Sequence, residues 1–310
     1  MEPFKYMKLT VIFKDLEDEI HPYFLGSFIR GNFGMYLKKT VCPFSFNKNC
    51  DTCLIRKKCF YAEVFETQSD AAAAGKTIPH PFVIDMLDYQ YNEAEKHTDL
   101  SFDMLLFGPA LENFEFFILV FSEMGKHGIG KKRIKCRRTF IKDSDGQQVY
   151  ASGVEEILCS PKVLSFGFNP VQPINRLKVF YRSPLRLQKD KKLINKPDFE
   201  ILIRSALRRI VYLEEFYGTN ARFQTREIIE ECTGVKTISN NLQWVHQVRY
   251  SNRKRVRMNL GGIMGQQEFE GNIPPMHVNL MRFASIFHLG KGSTFGLGKV
   301  GIEQHAAVPY

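Results

Sequence analysis

No apolar run in this chain approaches the roughly 20 residues that span a bilayer. The best, at 114–121, is short and carries Glu115, so a membrane-spanning helix is excluded. The opening residues, Met1-Glu2-Pro3-Phe4-Lys5-Tyr6, lack the basic stretch and apolar core of a secretory leader, and a cytoplasmic protein is the expectation. Cysteine is scarce outside one segment: of seven in all, four fall within residues 42–59. An odd number crowded this way argues against a disulfide framework. There is no acidic cluster of the kind that performs carboxylate catalysis. A P-loop is also missing, because the glycine-rich stretch near the C-terminus has the wrong spacing around Gly290-Lys291. Nor does it fit a dinucleotide-binding turn, since it follows a helix and precedes a strand, the reverse of what that turn needs.

What is present is a basic, phenylalanine-rich chain long enough for two domains. Its 310 residues include 27 Phe, and hydrophobic residues make up 44%, ample for two cores. Lys and Arg number 43 against 33 Asp and Glu, a net charge of +10. Such a balance favours a polyanionic partner, provided the charge is concentrated.

Hydrophobic spacing reads as the order β-α-β-β-α-β, twice. In the first half, residues 7–14 alternate as a strand with Leu9, Val11 and Phe13 on one side. Residues 21–39 carry Phe24, Phe28, Ile29, Phe33 and Tyr36 at helical spacing. Strands are expected at 79–86, 100–107 and 131–141 and a helix at 110–124, with residues 71–75 a loop. Asp145-Gly146 marks a hairpin turn. In the second half, 175–183 is a strand. Residues 199–217 form the clearest helix, with Phe199, Leu202, Ile203, Ala206, Leu207, Ile210 and Tyr217 on one stripe and Gly218 at its end. A hairpin of 242–250 with 256–270, a helix at 275–288 and a strand at 297–303 complete the repeat. The fold class expected is α+β, two tandem ferredoxin-like domains, 1–170 with a cysteine-rich insertion at 42–66 and 171–310 with a glycine-rich loop at 290–298.

Both helix-to-strand steps carry glycine and positive charge. The longer copy is Gly290-Lys291-Gly292-Ser293-Thr294-Phe295-Gly296-Leu297-Gly298; the shorter is Gly125-Lys126-His127-Gly128-Ile129-Gly130-Lys131. Glycine lets backbone approach a ligand closely, and exposed amides beside Lys suit phosphate. The candidate RNA contacts are therefore Gly290, Gly292, Gly296, Gly298, Lys126 and Lys131, set against a turn needed only for packing. Lys131, Arg133, Lys135 and Arg137 share one parity of the expected strand. Arg249, Arg253, Arg255 and Arg257 crowd a hairpin with Tyr250, charge interleaved with an aromatic ring as in nucleic-acid readers.

The spacing Cys42-x7-Cys50-x2-Cys53-x5-Cys59 allows four soft ligands to close around a tetrahedral metal. Structural zinc is the default, and an iron–sulfur cluster is not separated from it by spacing. Unligated thiols are the bland case. Cys136, Cys159 and Cys232 are scattered and expected in cores. For proton transfer the candidates are His288, directly before the long loop, and His21, opening the first helix; His127 lies in the short loop. Lys291 is placed to stabilise charge on a reacting phosphate. No cofactor is expected for the chemistry itself.

The whole length resembles the CRISPR-associated RNA-processing endoribonucleases of the RAMP superfamily. The elements carrying the resemblance are residues 26–34 (Gly-Ser-Phe-Ile-Arg-Gly-Asn-Phe-Gly), the cysteine segment running into Cys59-Phe60-Tyr61-Ala62, and Leu106-Phe107-Gly108. They continue through the two glycine loops, Ser183-Pro184-Leu185-Arg186, Arg249-Tyr250-Ser251 and Gly261-Gly262. The resemblance implies two ferredoxin-like domains, a C-terminal glycine loop on RNA, and metal-independent cleavage of precursor CRISPR RNA within its repeats. In that chemistry the 2′-hydroxyl attacks the adjacent phosphate, leaving a 2′,3′-cyclic phosphate. It does not decide between His288 and His21, because the catalytic histidine moves within the family. It also leaves open a non-catalytic RAMP-type subunit that holds RNA in a CRISPR effector complex. A zinc-containing DNA-binding regulator is a third class, although no segment looks like a recognition helix.

Overall fold

The structure, a computed structural model, describes every residue other than 1, 21–24, 45–48, 68–77, 87–97, 155, 190–191, 252–255 and 307–310, and leaves aside the side chains of 249–251 and 305–306. His21, Arg253 and Arg255, the side chain of Arg249 and the 71–75 loop thus lie outside the described residues. The chain divides into two compact units, Lys5–Ser165 and Phe166–Tyr310 with Met1–Phe4.

The first unit runs β1 (Phe4–Leu16), α1 (Leu25–Val41), β2 (Phe82–Asp85), β3 (Leu100–Leu106), α2 (Pro109–Glu112), α3 (Phe114–His127), β4 (Cys136–Lys142), β5 (Gln148–Ala151) and β6 (Val163–Phe166). Its sheet is ordered β2-β3-β1-β4-β5, with β6 also on β1. The first four strands with α1 and α3 make the ferredoxin-like pattern. Strand β1 buries Met7, Leu9, Val11 and Phe13 in alternation, which fixes which face meets the helices. Phe33 of α1 stacks on Phe117 of α3, ring centroids 5.2 Å apart, and meets Phe82 of β2 edge-on at 5.5 Å. Gly34 beside it leaves room for Phe65; a Cβ there would run into that ring. Phe65 belongs to a π-helical turn, Ala62–Glu66, that closes the cysteine-rich insertion. The Asp145-Gly146 hairpin forms as expected, with Gly146 at φ +81° and its amide on the Asp143 carbonyl.

The second unit runs β7 (Ile174–Leu185), β8 (Gln188–Lys189), β9 (Lys192–Leu193), α4 (Phe199–Tyr217), α5 (Thr225–Glu230), β10 (Lys236–Val245), β11 (Val248–Ser251), β12 (Val256–Asn259), β13 (Gly262–Ile273), α6 (Pro275–Phe287) and β14 (Val300–Ala306). Its main sheet is ordered β10-β13-β7-β14. Strand for strand this is the order of the first unit. Helix α4 has the expected bounds: Asp198 caps it through the Ile201 amide, and its apolar stripe is buried. Phe199 and Phe269 sit 5.3 Å apart in the core. Tyr181 donates to Gln267, whose amide donates in turn to the Pro197 carbonyl, so these buried polar groups are satisfied.

Two expected elements are corrected. Residues 131–135 are not strand: Ile129 and Ile134 form an isolated bridge around a turn in which Arg133 takes φ +55°, and β4 begins only at Cys136. The single cationic face through Lys131, Arg133, Lys135 and Arg137 therefore does not exist. The long hairpin is also β10 with β13, not 242–250 with 256–270. Strands β11 and β12 form a separate two-stranded ribbon inserted between them, Tyr250 opposite Arg257. The two basic stretches consequently occupy non-equivalent places, β4 being a sheet strand and the ribbon an insertion.

Candidate nucleic-acid interface

The long glycine loop begins where α6 ends. His288 caps that helix at φ +60°, ψ 155°, a backbone conformation that β-carbon sterics disfavour. Its ring is fully enclosed, at 0% exposure, and lies 3.1 Å through Nδ1 from the Leu297 carbonyl oxygen. Arg209 of α4 donates from Nε and Nη2 to the Phe287 carbonyl at 3.1 and 3.0 Å, fixing the last turn of α6. Burial pulls its pKa down to about 10, so the guanidinium remains charged at neutral pH.

The loop base is closed by the Leu289 amide on the Gly298 carbonyl at 2.8 Å, and by the Gly298 amide on the Pro184 carbonyl at 3.2 Å. All four glycines, 290, 292, 296 and 298, have φ between +70° and +93°. At 298 a Cβ would run into the Leu289 carbonyl oxygen. Ser293–Phe295 is a 3-10 turn, and the amides of Phe295, Gly296 and Leu297 bond back to Gly292, Ser293 and Gly292.

Those bonds divide the loop chemically. The amides of Gly296 and Gly298 are spent internally and the residues are buried, so neither supplies a phosphate contact as they stand; that part of the expectation is corrected. In contrast, the amides of residues 290–294 donate to no acceptor among the described residues. Gly290 and Lys291 are exposed at the tip, and Lys291 has no ion-pair partner among the described residues. Successive free amides with a left-handed glycine among them form the concave array that receives anions.

The shorter loop is the opposite case. Gly128 caps α3 at φ +88°, ψ 151°, the conformation that His288 takes in the other unit. Its amide bonds to Met124, the Ile129 amide to Ile134, and the Gly130 amide to the side chain of Asn32 at 2.8 Å. The Tyr36 hydroxyl donates to the Gly128 carbonyl at 2.8 Å and accepts from Arg133 Nη1 at 2.9 Å. Arg133 is thereby turned to holding the loop. Lys126 and His127 are exposed beside Glu123, and Lys131 is exposed at the turn. Asn32 and Tyr36, which do this holding, carried no sequence signal beyond the helical stripe of Tyr36.

On the inserted ribbon Arg257 is exposed. Arg186, at the exit of β7, donates to the Asn259 carbonyl and ties that strand to the ribbon. Cys42, Cys50, Cys53 and Cys59 line one pocket, although no three ligating side chains stand together at metal-binding distance among the described residues. Of the other cysteines, Cys232 is buried, and burial pushes its thiol up to about 12. Cys136 and Cys159 are half-buried at the edge of the first core. No helix among the described residues is long and apolar enough to cross a membrane.

Two family models match the chain. Residues 4–162 match an N-terminal-domain family, AF_1859_N, and residues 179–300 match the CRISPR-associated endoribonuclease Cas6 family. An uncharacterized protein of Archaeoglobus fulgidus is 21% identical over 280 residues, covering 89% of this chain and 91% of its own length. A chain of a partial Cas6-RT-Cas1–Cas2 complex superposes with a TM-score of 0.56 at 12% identity, over 99% of this chain and 47% of that one. This chain thus spans about half the length of that structure. Thermus thermophilus Cas6 superposes at 0.57 and 10% identity, over 98% of this chain and all of its own. A Cas6 product complex gives 0.53 at 14%, over 96% and 99%. These superpositions establish the α+β fold of tandem ferredoxin-like units.

Proposed function

We propose that this chain, whose residues 4–162 place it in the AF_1859_N family and whose residues 179–300 match the CRISPR-associated endoribonuclease Cas6 family, is an endoribonuclease cutting CRISPR repeat RNA. The observation that carries the proposal is the run of amides at 290–294, unengaged among the described residues, beside the exposed Lys291, which has no ion-pair partner among them. Backbone amides read phosphate without regard to base, so the array holds the backbone at the scissile step while other contacts select the repeat. The inserted ribbon, with Arg257 exposed and Arg249, Arg253 and Arg255 in the same stretch of sequence, adds positive charge along the RNA.

Cleavage uses the substrate's own nucleophile. The ribose 2′-hydroxyl gives up its proton and attacks phosphorus; the bond to the 5′-oxygen breaks and that oxygen takes up a proton. The products are a 2′,3′-cyclic phosphate and a 5′-hydroxyl, and the step needs no metal. Lys291 and the amides stabilise the added negative charge in the transition state. Proton transfer falls to His21, four residues before α1, because His288 is enclosed and reaches its own loop. His288 is a positioning residue, its ring on the Leu297 carbonyl helping to close the base of the loop. CRISPR repeat RNA is the partner, together with other CRISPR proteins, since the fold matches one segment of a Cas6-RT-Cas1–Cas2 complex.

The enclosed His288 also favours a second reading, an RNA-binding subunit without cleavage. One assay separates them. Labelled repeat RNA incubated in excess EDTA should yield the cyclic phosphate, and a 2′-deoxy substitution at the scissile nucleotide should abolish it. His21→Ala should cut the rate by roughly 100-fold or more with RNA still bound. Tight binding with no product from any repeat RNA would favour the second reading.

A further inference from the structure

The four cysteines of the insertion play no part in the RNA chemistry, yet they converge. Cys42, Cys50, Cys53 and Cys59 line one pocket with Phe44, Asn49, Arg56 and Tyr61. The pocket encloses about 10 Å³ of free space, room for a single water-sized sphere. All four are free thiols and half-buried. Short turns place them, and Cys50 and Cys59 also pack against the first unit's core. Cys42 continues α1, its amide on the Lys38 carbonyl at 3.0 Å. The amides of Cys53, Arg56 and Cys59 each bond to a carbonyl three residues back, those of Cys50, Cys53 and Arg56. Asn49 caps the first of these turns through the Asp51 amide.

Among its described residues this segment buries little apolar surface. Neither 3-10 turn, Cys50–Thr52 or Arg56–Lys58, buries a residue. Leu54 is 92% exposed and Ile55 39% exposed. A stretch that buries so little is held mainly by local turns unless something cross-links it. A cationic group lines the same pocket: Arg56 donates to the Cys50 carbonyl at 3.0 Å and to the Asp51 carboxylate at 2.7 Å. Positive charge there offsets the net charge of two minus that four thiolates around a divalent ion leave.

We propose that the Sγ atoms of Cys42, Cys50, Cys53 and Cys59 bind one thiophilic divalent ion of the zinc class in tetrahedral geometry. As placed, the thiols share the pocket without touching a common point, so binding draws them together inside it. The size of the pocket favours a single ion over a multi-iron cluster. The ion is structural: four protein ligands leave no position for substrate, and its binding energy is folding energy for the insertion. The proposal stands apart from the RNA reading, since it predicts metal content whether or not the protein cuts RNA.

The test uses the full chain, purified reduced and without a histidine tag. Elemental analysis should find one zinc per chain. Cobalt added to the metal-free protein should give the intense visible bands of tetrahedral thiolate cobalt, bleached by stoichiometric zinc. Cys42→Ser and Cys59→Ser should weaken zinc retention against a chelator by at least tenfold, while Cys159→Ser, outside the pocket, should not change it. Metal-free protein that gives no cobalt bands would overturn the proposal. So would zinc binding indifferent to Cys42 and Cys59, or iron with acid-labile sulfide. The first two measurements need no variant, so misfolding of a Cys→Ser chain would not leave the matter open.

Discussion

The two helix-to-strand loops occupy the same place in two ferredoxin-like units, contain glycine and lysine alike, and have opposite hydrogen-bonding economies. At 128–130 every amide is engaged, one of them by Asn32 from a helix far away in sequence. At 290–294 none is engaged among the described residues, and Lys291 stands exposed among them. Glycine supplies the same backbone freedom in both. What differs is whether the donors are consumed, by backbone carbonyls at Gly128 and Ile129 and by the Asn32 side chain at Gly130. A glycine-rich loop is therefore a ligand site only when its unit leaves its amides unsatisfied, and by that criterion one copy is scaffold and the other is a phosphate cradle.

Substitution at matched lysines breaks the comparison most sharply. Lys291→Ala should lower cleavage by about 100-fold, the scale of losing one preorganised transition-state contact, and should reduce the salt slope of RNA binding by about 0.7. Lys131→Ala should leave cleavage within about twofold. Equal losses at the two positions would erase the distinction. Asn32→Ala sharpens it from the other side. The half-buried Gly130 amide loses its acceptor, which should cost about 1 kcal/mol in a denaturant titration of the first unit. RNA affinity of the folded protein should be unaltered.

Much of this architecture was legible in the chain. Helix α4 could be bounded to the residue because its stripe runs unbroken from Phe199 to Tyr217 between Asp198, whose carboxylate caps it, and Gly218. The doubled strand–helix order and the Asp145-Gly146 turn were legible for similar local reasons. Residues 131–135 misled because alternating charges mimic a strand; with only Ile134 as an apolar anchor, the bridge to Ile129 made a turn instead. Strand β10 began six residues earlier than expected because Lys236 to Asn241 is polar apart from an exposed Ile238. Which loop amides are engaged could not be read at all, since Asn32 and Tyr36 act from positions unrelated to the loop's own composition. The accessibility of His288 failed for the same reason.

Ser293→Pro isolates the amide itself. It removes a donor that has no internal partner, at the first position of a 3-10 turn where proline is tolerated. RNA affinity should fall by about tenfold, the worth of one charge-assisted hydrogen bond, read beside the melting temperature because Gly292 at ψ 21° must adjust to a following proline. The smallest effect concerns the helices that lead into the loops. Helix α6 buries His277 against the Ile228 carbonyl, 2.7 Å away, whereas α3 exposes His127. Burial lowers the His277 pKa, opposed by the bond to Ile228 and by Glu231. The unfolded chain therefore takes up its proton first, and the second unit should lose stability as pH falls below about 6.5. A melting series from pH 7.5 to 5 should show that loss shrinking in His277→Gln.

Hydrogen exchange with and without repeat RNA tests the cradle most directly. The amides of 290–294 should exchange quickly in the free protein and slow markedly once RNA is bound, while those of 128–130 should be slow from the start and stay so. Protection appearing on the shorter loop, or none on the longer one, would contradict the account.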